Sequence, residues 1–134
     1  MSDLIITAFA GKIFGVERAT GAQRWRVQLS EYTTAVVELF ITDERVIALS
    51  GAWLGIIERR TGRLIRKVER KDSAVGSRPV VLVEGAHLFV GGLGALACYT
   101  LEGDFVGEQP FKGEGTEEVS LGVPGNVRQA DDRR

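Results

Sequence analysis

Three glycines, Gly21, Gly62 and Gly103, stand 41 residues apart both times, and they mark a repeat that runs through most of the 134-residue chain. Sliding the sequence by that interval aligns, without a gap, segments that begin at Asp3, Glu44 and Gly85. Ile6, Ile47 and Leu88 form one column, Ala8, Leu49 and Val90 a second, and Val16, Ile57 and Cys98 a third. Glu17 recurs as Glu58, and Thr20-Gly21 recurs as Thr61-Gly62. Few residues are identical, but a burial pattern that persists in register is what a stacked structural unit demands.

Inside each unit the apolar period is two rather than 3.6. Leu39/Ile41, Val80/Leu82 and Leu121/Val123 alternate with their neighbours, and the runs stop at Asp43-Glu44, Glu84-Gly85 and Gly125-Asn126. No window holds a helical apolar stripe for three turns. The second unit therefore reads as four short strands, A (Val36–Thr42), B (Val46–Leu49), C (Leu54–Arg59) and, after the Thr61-Gly62 turn, D (Leu64–Arg70). Four antiparallel strands in about 40 to 45 residues make the blade of a β-propeller. The expected fold is all-β, with three four-stranded blades spanning 1–127. The units lie near 3–35, 36–76 and 77–116, followed by a closing strand at 117–124 and a flexible tail at 128–134.

The best copy of the repeat runs Ile13-Phe14-Gly15-Val16-Glu17-Arg18-Ala19-Thr20-Gly21-Ala22-Gln23-Arg24-Trp25. A strand ending in an acidic residue, then Thr-Gly and a Trp four residues on, resembles the quinoprotein-type (PQQ-like) propeller repeat over about residues 3–111. The resemblance implies a propeller whose blades dock through a tryptophan, here Trp25. The sequence departs from the pattern at Arg66 and Gly107 in the Trp column, at Glu102-Gly103 for Thr-Gly, and at Tyr99 in the acidic column. Some members of that family bind a quinone cofactor, which requires a Ca²⁺ shell of oxygen ligands and a platform for the ring. No carboxylate cluster or aromatic platform of that kind stands out here, so no cofactor, metal site or catalytic residue is assigned.

Counting strands implies a partner. Asp3 aligns with the A-to-B turn, so the first unit holds B, C and D, while Val119, Leu121 and Val123 repeat the places of Val37, Leu39 and Ile41. The tail thus carries the strand that the first unit lacks, and closing a ring this way removes exposed edges. Closed rings have about 4–8 blades, so three blades need a second chain, and a twofold pair gives six. The expected assembly is a homodimer formed by strand exchange, with Leu4, Ile6 and Ala8 of one chain meeting Val119, Leu121 and Val123 of the other. The alternative is an unstructured tail from Lys112 onward.

Composition narrows the chemistry. The formal charge is −1, and the single Cys and single His exclude an intrachain disulfide and make a His- or Cys-built metal site implausible. Ala8-Phe9-Ala10 mimics a signal-peptidase site, but no basic residue precedes it, and the longest apolar window is too short to span a bilayer. A cytoplasmic protein with no membrane contact is expected. Gly92-Leu93-Gly94-Ala95-Leu96-Ala97 matches the dinucleotide fingerprint formally, yet it falls on a B-to-C turn with no βαβ unit around it. Cys98 and His87 occupy apolar columns and read as packing residues. Arg59, Arg60, Arg63, Arg66, Lys67, Arg70 and Lys71 crowd one hairpin, while Glu58 and Glu69 interleave, which fits a solvated outer strand better than a phosphate-binding face.

The expected function is a non-enzymatic interaction scaffold that binds itself and an unidentified protein partner. A loop face carrying Tyr32, Trp53 and Lys12 is the candidate docking surface, since large aromatics anchor interfaces. Trp53 tucked between blades is the competing reading. Two other functions stand beside the scaffold: a small-ligand or quinoprotein-like enzyme site at the central channel, near Thr34, Glu38 and Ser77, and nucleic-acid binding through the basic hairpin 59–71.

Overall fold

The alternation seen in the sequence becomes a succession of antiparallel hairpins. The computed structural model describes residues 3–31, 36–71, 75 and 79–130, and every regular element among them is a β-strand. Among these residues no helix is long and apolar enough to cross a membrane. The chain divides into two compact units, Met1–Glu69 and Arg70–Arg134.

The first unit contains two sheets. One has three strands, Leu4–Phe9 (β1), Lys12–Glu17 (β2) and Gln23–Gln28 (β3), in the order β1-β2-β3. The other has four, Val37–Ile41 (β4), Arg45–Ser50 (β5), Trp53–Glu58 (β6) and Leu64–Glu69 (β7), in sequential order. Strands B, C and D of the sequence reading correspond to β5, β6 and β7, with ends shifted by at most one residue. Ile13, Trp25, Val27 and Leu29 of the three-stranded part pack on Val46, Ala48 and Ile57, and Leu4, Ile6, Ala8, Val37 and Leu39 extend that core. Burying each aliphatic side chain in such a core contributes about 1.5–3 kcal/mol.

Trp25 shows why the two sheets need glycine between them. A Cβ at Gly15, on the same sheet, would lie 2.4 Å from its ring, and a Cβ at Gly62, in the β6–β7 turn, would lie 2.5 Å from it. The ring fills the slot that two missing side chains leave.

The C-to-D turn explains the recurring Glu-x-x-Thr-Gly. The Thr20 hydroxyl donates to the Glu17 carboxylate at 2.8 Å and accepts from the Ala22 N–H at 3.2 Å, while the Gly21 N–H donates to the Glu17 carbonyl at 2.8 Å. Thr61, Glu58, Arg63 and Gly62 repeat the arrangement. Gly21 and Gly62 sit at φ +77° and +76°, where a side chain is strained. A bulge precedes each turn, between Gly15/Val16, Ile56/Ile57 and Cys98/Tyr99, so the backbone irregularity repeats with the sequence.

The second unit holds a four-stranded sheet of Val80–Glu84 (β8), His87–Gly92 (β9), Ala95–Thr100 (β10) and Phe105–Gln109 (β11), ordered β11-β10-β9-β8. Tyr99 is fully buried, and its hydroxyl accepts from the Lys71 N–H at 3.0 Å. Beyond this sheet lies a hairpin of Leu121–Val123 (β12) and Asn126–Arg128 (β13).

The hairpin corrects the sequence reading of the tail. Its turn is Pro124-Gly125 rather than Gly125-Asn126, and Arg128, expected to start a flexible tail, pairs with Leu121. The reason is local: Gly125 adopts φ +79°, which lets the chain fold back one residue early. His87 is also corrected. As the first residue of β9 it is exposed, with its ring tilted 42° to that of Phe89 at 6.2 Å, and is no packing residue.

Candidate assembly interface

The inward face of β1 is spent on the protein's own core. Leu4, Ile6 and Ala8, expected at a contact between chains, alternate inward and pack on the Ile13 cluster. What β1 leaves open is its backbone edge and its other face. Among the described residues β2 is the only strand that pairs with it, so β1 is an edge strand of its sheet. On the outer face Ile5 and Phe9 are 53% and 59% exposed, and the Phe9 ring stacks on Phe14 at 5.2 Å. Val16, opposite Ile5, shares that face.

The sequence reading passed over Ile5, Phe9 and Phe14, although the repeat held a signal. Phe9 and Phe14 stand in the columns of Ser50 and Gly55, and a Cβ at Gly55 would meet Leu29 at 2.7 Å. The second repeat needs small residues where a neighbour closes over it. The first repeat puts phenylalanines at the same places, where Phe9 is exposed and Phe14 half-buried.

A wide cleft runs beside the start of β1, lined by Asp3 to Ile6, by Ile41 to Asp43 and by Glu58 to Thr61. Among its charged side chains, Arg24, Glu58 and Arg59 are engaged in the fold. Arg24 pairs with Glu17 at 2.9 Å, and the Arg59 Nε donates to the Asp43 carbonyl at 2.6 Å. The Thr20 hydroxyl, and then Arg24, hold the Glu17 carboxyl below the usual range.

In the second unit, Val119 and Leu121 lie over β9: a Cβ at Gly91 would meet them at 2.8 and 3.1 Å. Phe89 and Leu96, on the same face as Gly91, are half-buried, as is Cys98. Asn126 donates from Nδ2 to the Val83 carbonyl at 2.9 Å and to Glu84 at 3.2 Å, and Arg128 donates from Nη1 to the Val81 carbonyl at 3.1 Å. These side chains cap carbonyls of β8, a strand at the edge of its sheet.

Trp53 is half-buried against the first unit's core, with Lys67 Nζ 4.4 Å from its ring centroid, an arrangement between the two sequence readings. Lys12 bonds the Ala10 carbonyl at 3.1 Å. Tyr32, Thr34 and Ser77 lie outside the described residues, while Glu38 is half-buried on β4. Gly92 and Ala95 flank the tight β9–β10 turn, so no helix follows the formal dinucleotide motif. Cys98 pairs with Phe89 rather than with His87, and burial pushes its thiol pKa up, away from a reactive thiolate. In the basic hairpin, Arg59 is buried, Arg63 faces Glu58 at 3.8 Å and Lys67 covers Trp53, which commits three of its cations to the fold. Among the described residues no three His, Cys, Asp or Glu side chains come together as metal ligands.

No family model matches the chain, and no curated protein matches its sequence. Solved structures do. BamB from Moraxella catarrhalis, a PQQ-like β-propeller repeat protein, aligns at 20% identity and TM-score 0.53 over 79% of this chain. Kluyveromyces lactis Hsv2 with complete loop 6CD, also a β-propeller, aligns at 15% identity and TM-score 0.54 over 85%. KlHsv2 with loop 6CD replaced by a Gly-Ser linker aligns at 14% identity and TM-score 0.52 over 86%. The chain spans 32%, 36% and 41% of the BamB, complete-loop Hsv2 and linker Hsv2 chains. Four-stranded antiparallel sheets built on a repeated turn, together with these likenesses, give the chain a β-propeller fold.

Proposed function

We propose that the chain is a non-enzymatic interaction scaffold whose three propeller blades pair with those of a second copy to complete a six-bladed ring. The reading is carried by the first sheet, which presents an open edge at β1 and, on its outer face, the exposed Ile5 and Phe9. Apolar surface of that kind on a sheet next to a free edge favours a covering partner.

The strand supplied by the partner is β12. Shifting the β4–β5 register, in which Ile41 faces Val46 and Val37 faces Ser50, by the repeat places Val123 of one chain opposite Ile5 of the other and Val119 opposite Phe9. Cross-strand partners point to the same side of a sheet. Val119 and Leu121 already lie over Gly91, so Ile5 and Phe9 would then face the same surface, where Phe89 and Leu96 are half-buried. One contact thus covers both the open edge and the apolar face. Further protein partners would dock near Trp53 and Lys12.

Light scattering on a sizing column tests the assembly. The full chain should run near twice 14.6 kDa, and Phe9→Lys should return it to the monomer mass with its far-ultraviolet spectrum unchanged. A full chain that stays at monomer mass across a hundredfold concentration range would remove the ring.

A further inference from the structure

β12 is not idle in the single chain, because β13 pairs with it through Val123–Asn126, Gly122–Val127 and Leu121–Arg128. Asn126-Val127-Arg128 stands three repeat lengths after Asp3-Leu4-Ile5, so in the repeat β13 occupies the column of β1. The protein therefore carries a short strand in the place where, on the assembly reading above, the partner's β1 must go.

We propose that β13 is a built-in placeholder that caps β12 in the lone chain and is displaced by the partner's β1 when two copies associate. This rests on the homodimer reading and adds a competition to it. The occupant of β12's paired edge is either three residues of the same chain or β1 of a second copy, six residues long and backed by β2 and β3. The placeholder is lightly held. Val127 is 57% exposed, and much of the remaining grip comes from the Asn126 and Arg128 side chains on β8. Those bonds protect the β8 edge in the lone chain and must break, or find new partners, when β13 leaves. Association should accordingly be weaker than the two surfaces alone would allow, by the strength of the cap.

A reversible lock tests this. A Cβ at Gly122 would lie 3.8 Å from the Val127 Cβ, which is the separation that a disulfide requires. Gly122→Cys with Val127→Cys, in a Cys98→Ser background, should be monomeric when oxidised and dimeric after reduction, with bond formation followed by thiol counting. A locked protein that still dimerises overturns the placeholder and leaves the dimer standing. A wild-type chain that never dimerises overturns both. Asn126→Ala with Arg128→Ala provides the second arm, loosening the cap without touching β1, and should tighten the dimer roughly tenfold, about the worth of one or two hydrogen bonds. An unchanged or weaker dimer in that variant, where the reduced double-cysteine protein also fails to dimerise, overturns the placeholder.

Discussion

The indole N–H of Trp25 donates to the backbone carbonyl of Arg59 at 2.9 Å, and this bond ties the first sheet to the turn of the second. The ring is 93% removed from solvent, being 7% exposed, and two glycines make room for it. Trp25→Ala should therefore destabilise the first unit by about 3–5 kcal/mol, as large aromatic truncations do. Trp25→Phe keeps most of the apolar area but removes the bond to the Arg59 carbonyl, and should cost less, about 1–3 kcal/mol. Urea unfolding of the two variants separates the packing from the bond.

Gly62 and Gly21 offer a second comparison. Both have positive φ, but a Cβ at Gly62 strikes Trp25 at 2.5 Å and one at Gly21 meets nothing within 4 Å. Gly21→Ala should cost about 1–2 kcal/mol from left-handed strain alone. Gly62→Ala carries the same strain plus displacement of the indole, so its unfolding midpoint should fall clearly further.

A pH dependence follows from Glu17. Its pKa is lowered in the folded protein, first by the Thr20 hydroxyl and then by Arg24. The folded state therefore prefers the ionised carboxylate, and its stabilising effect is present above the unfolded pKa and lost as pH falls through the folded one. Glu17→Gln should lower stability at neutral pH and flatten the acid limb of the stability curve between about pH 5 and pH 3. Denaturant midpoints at a series of pH values would show it, and an unchanged acid limb would contradict it.

Exposed apolar residues should behave differently from core ones. Ile5→Ser and Phe9→Ser remove side chains that are more than half exposed, so each should change the stability of the lone chain by less than about 0.5 kcal/mol. Their effect should fall on self-association, measured by sedimentation velocity, with the double variant weakest.

Much of the strand pattern was legible because alternation and turn chemistry agree within each repeat. Leu54 to Ile57 pair with Leu64 to Val68 across the turn that Glu58, Thr61 and Gly62 build, and those elements form where the pattern places them. The β13 strand was hidden for the opposite reason. Asn126-Val127-Arg128 has one apolar residue, and it is held by side-chain bonds to the carbonyls of Val81 and Val83, which leave no periodicity in a sequence. The column logic that made His87 a packing residue also failed at a strand end, where Ile5 in the same column is exposed as well. The inward turn of Leu4, Ile6 and Ala8 was readable as alternation, yet which face a neighbour would cover depended on Phe9 and Phe14 replacing Ser50 and Gly55.

The Trp25 slot has a bearing on how such a chain can change over time. The ring belongs to one repeat and the cavity at Gly62 to the next, so the segment that is copied and the segment that locks are offset from each other. Duplicating a repeat as a block would carry a tryptophan to a new junction together with the glycine that received the previous one. Where the tryptophan column holds another residue, as at Arg66 and Gly107, the turn glycine can still be kept by its own backbone geometry, and Gly103 has φ +96°.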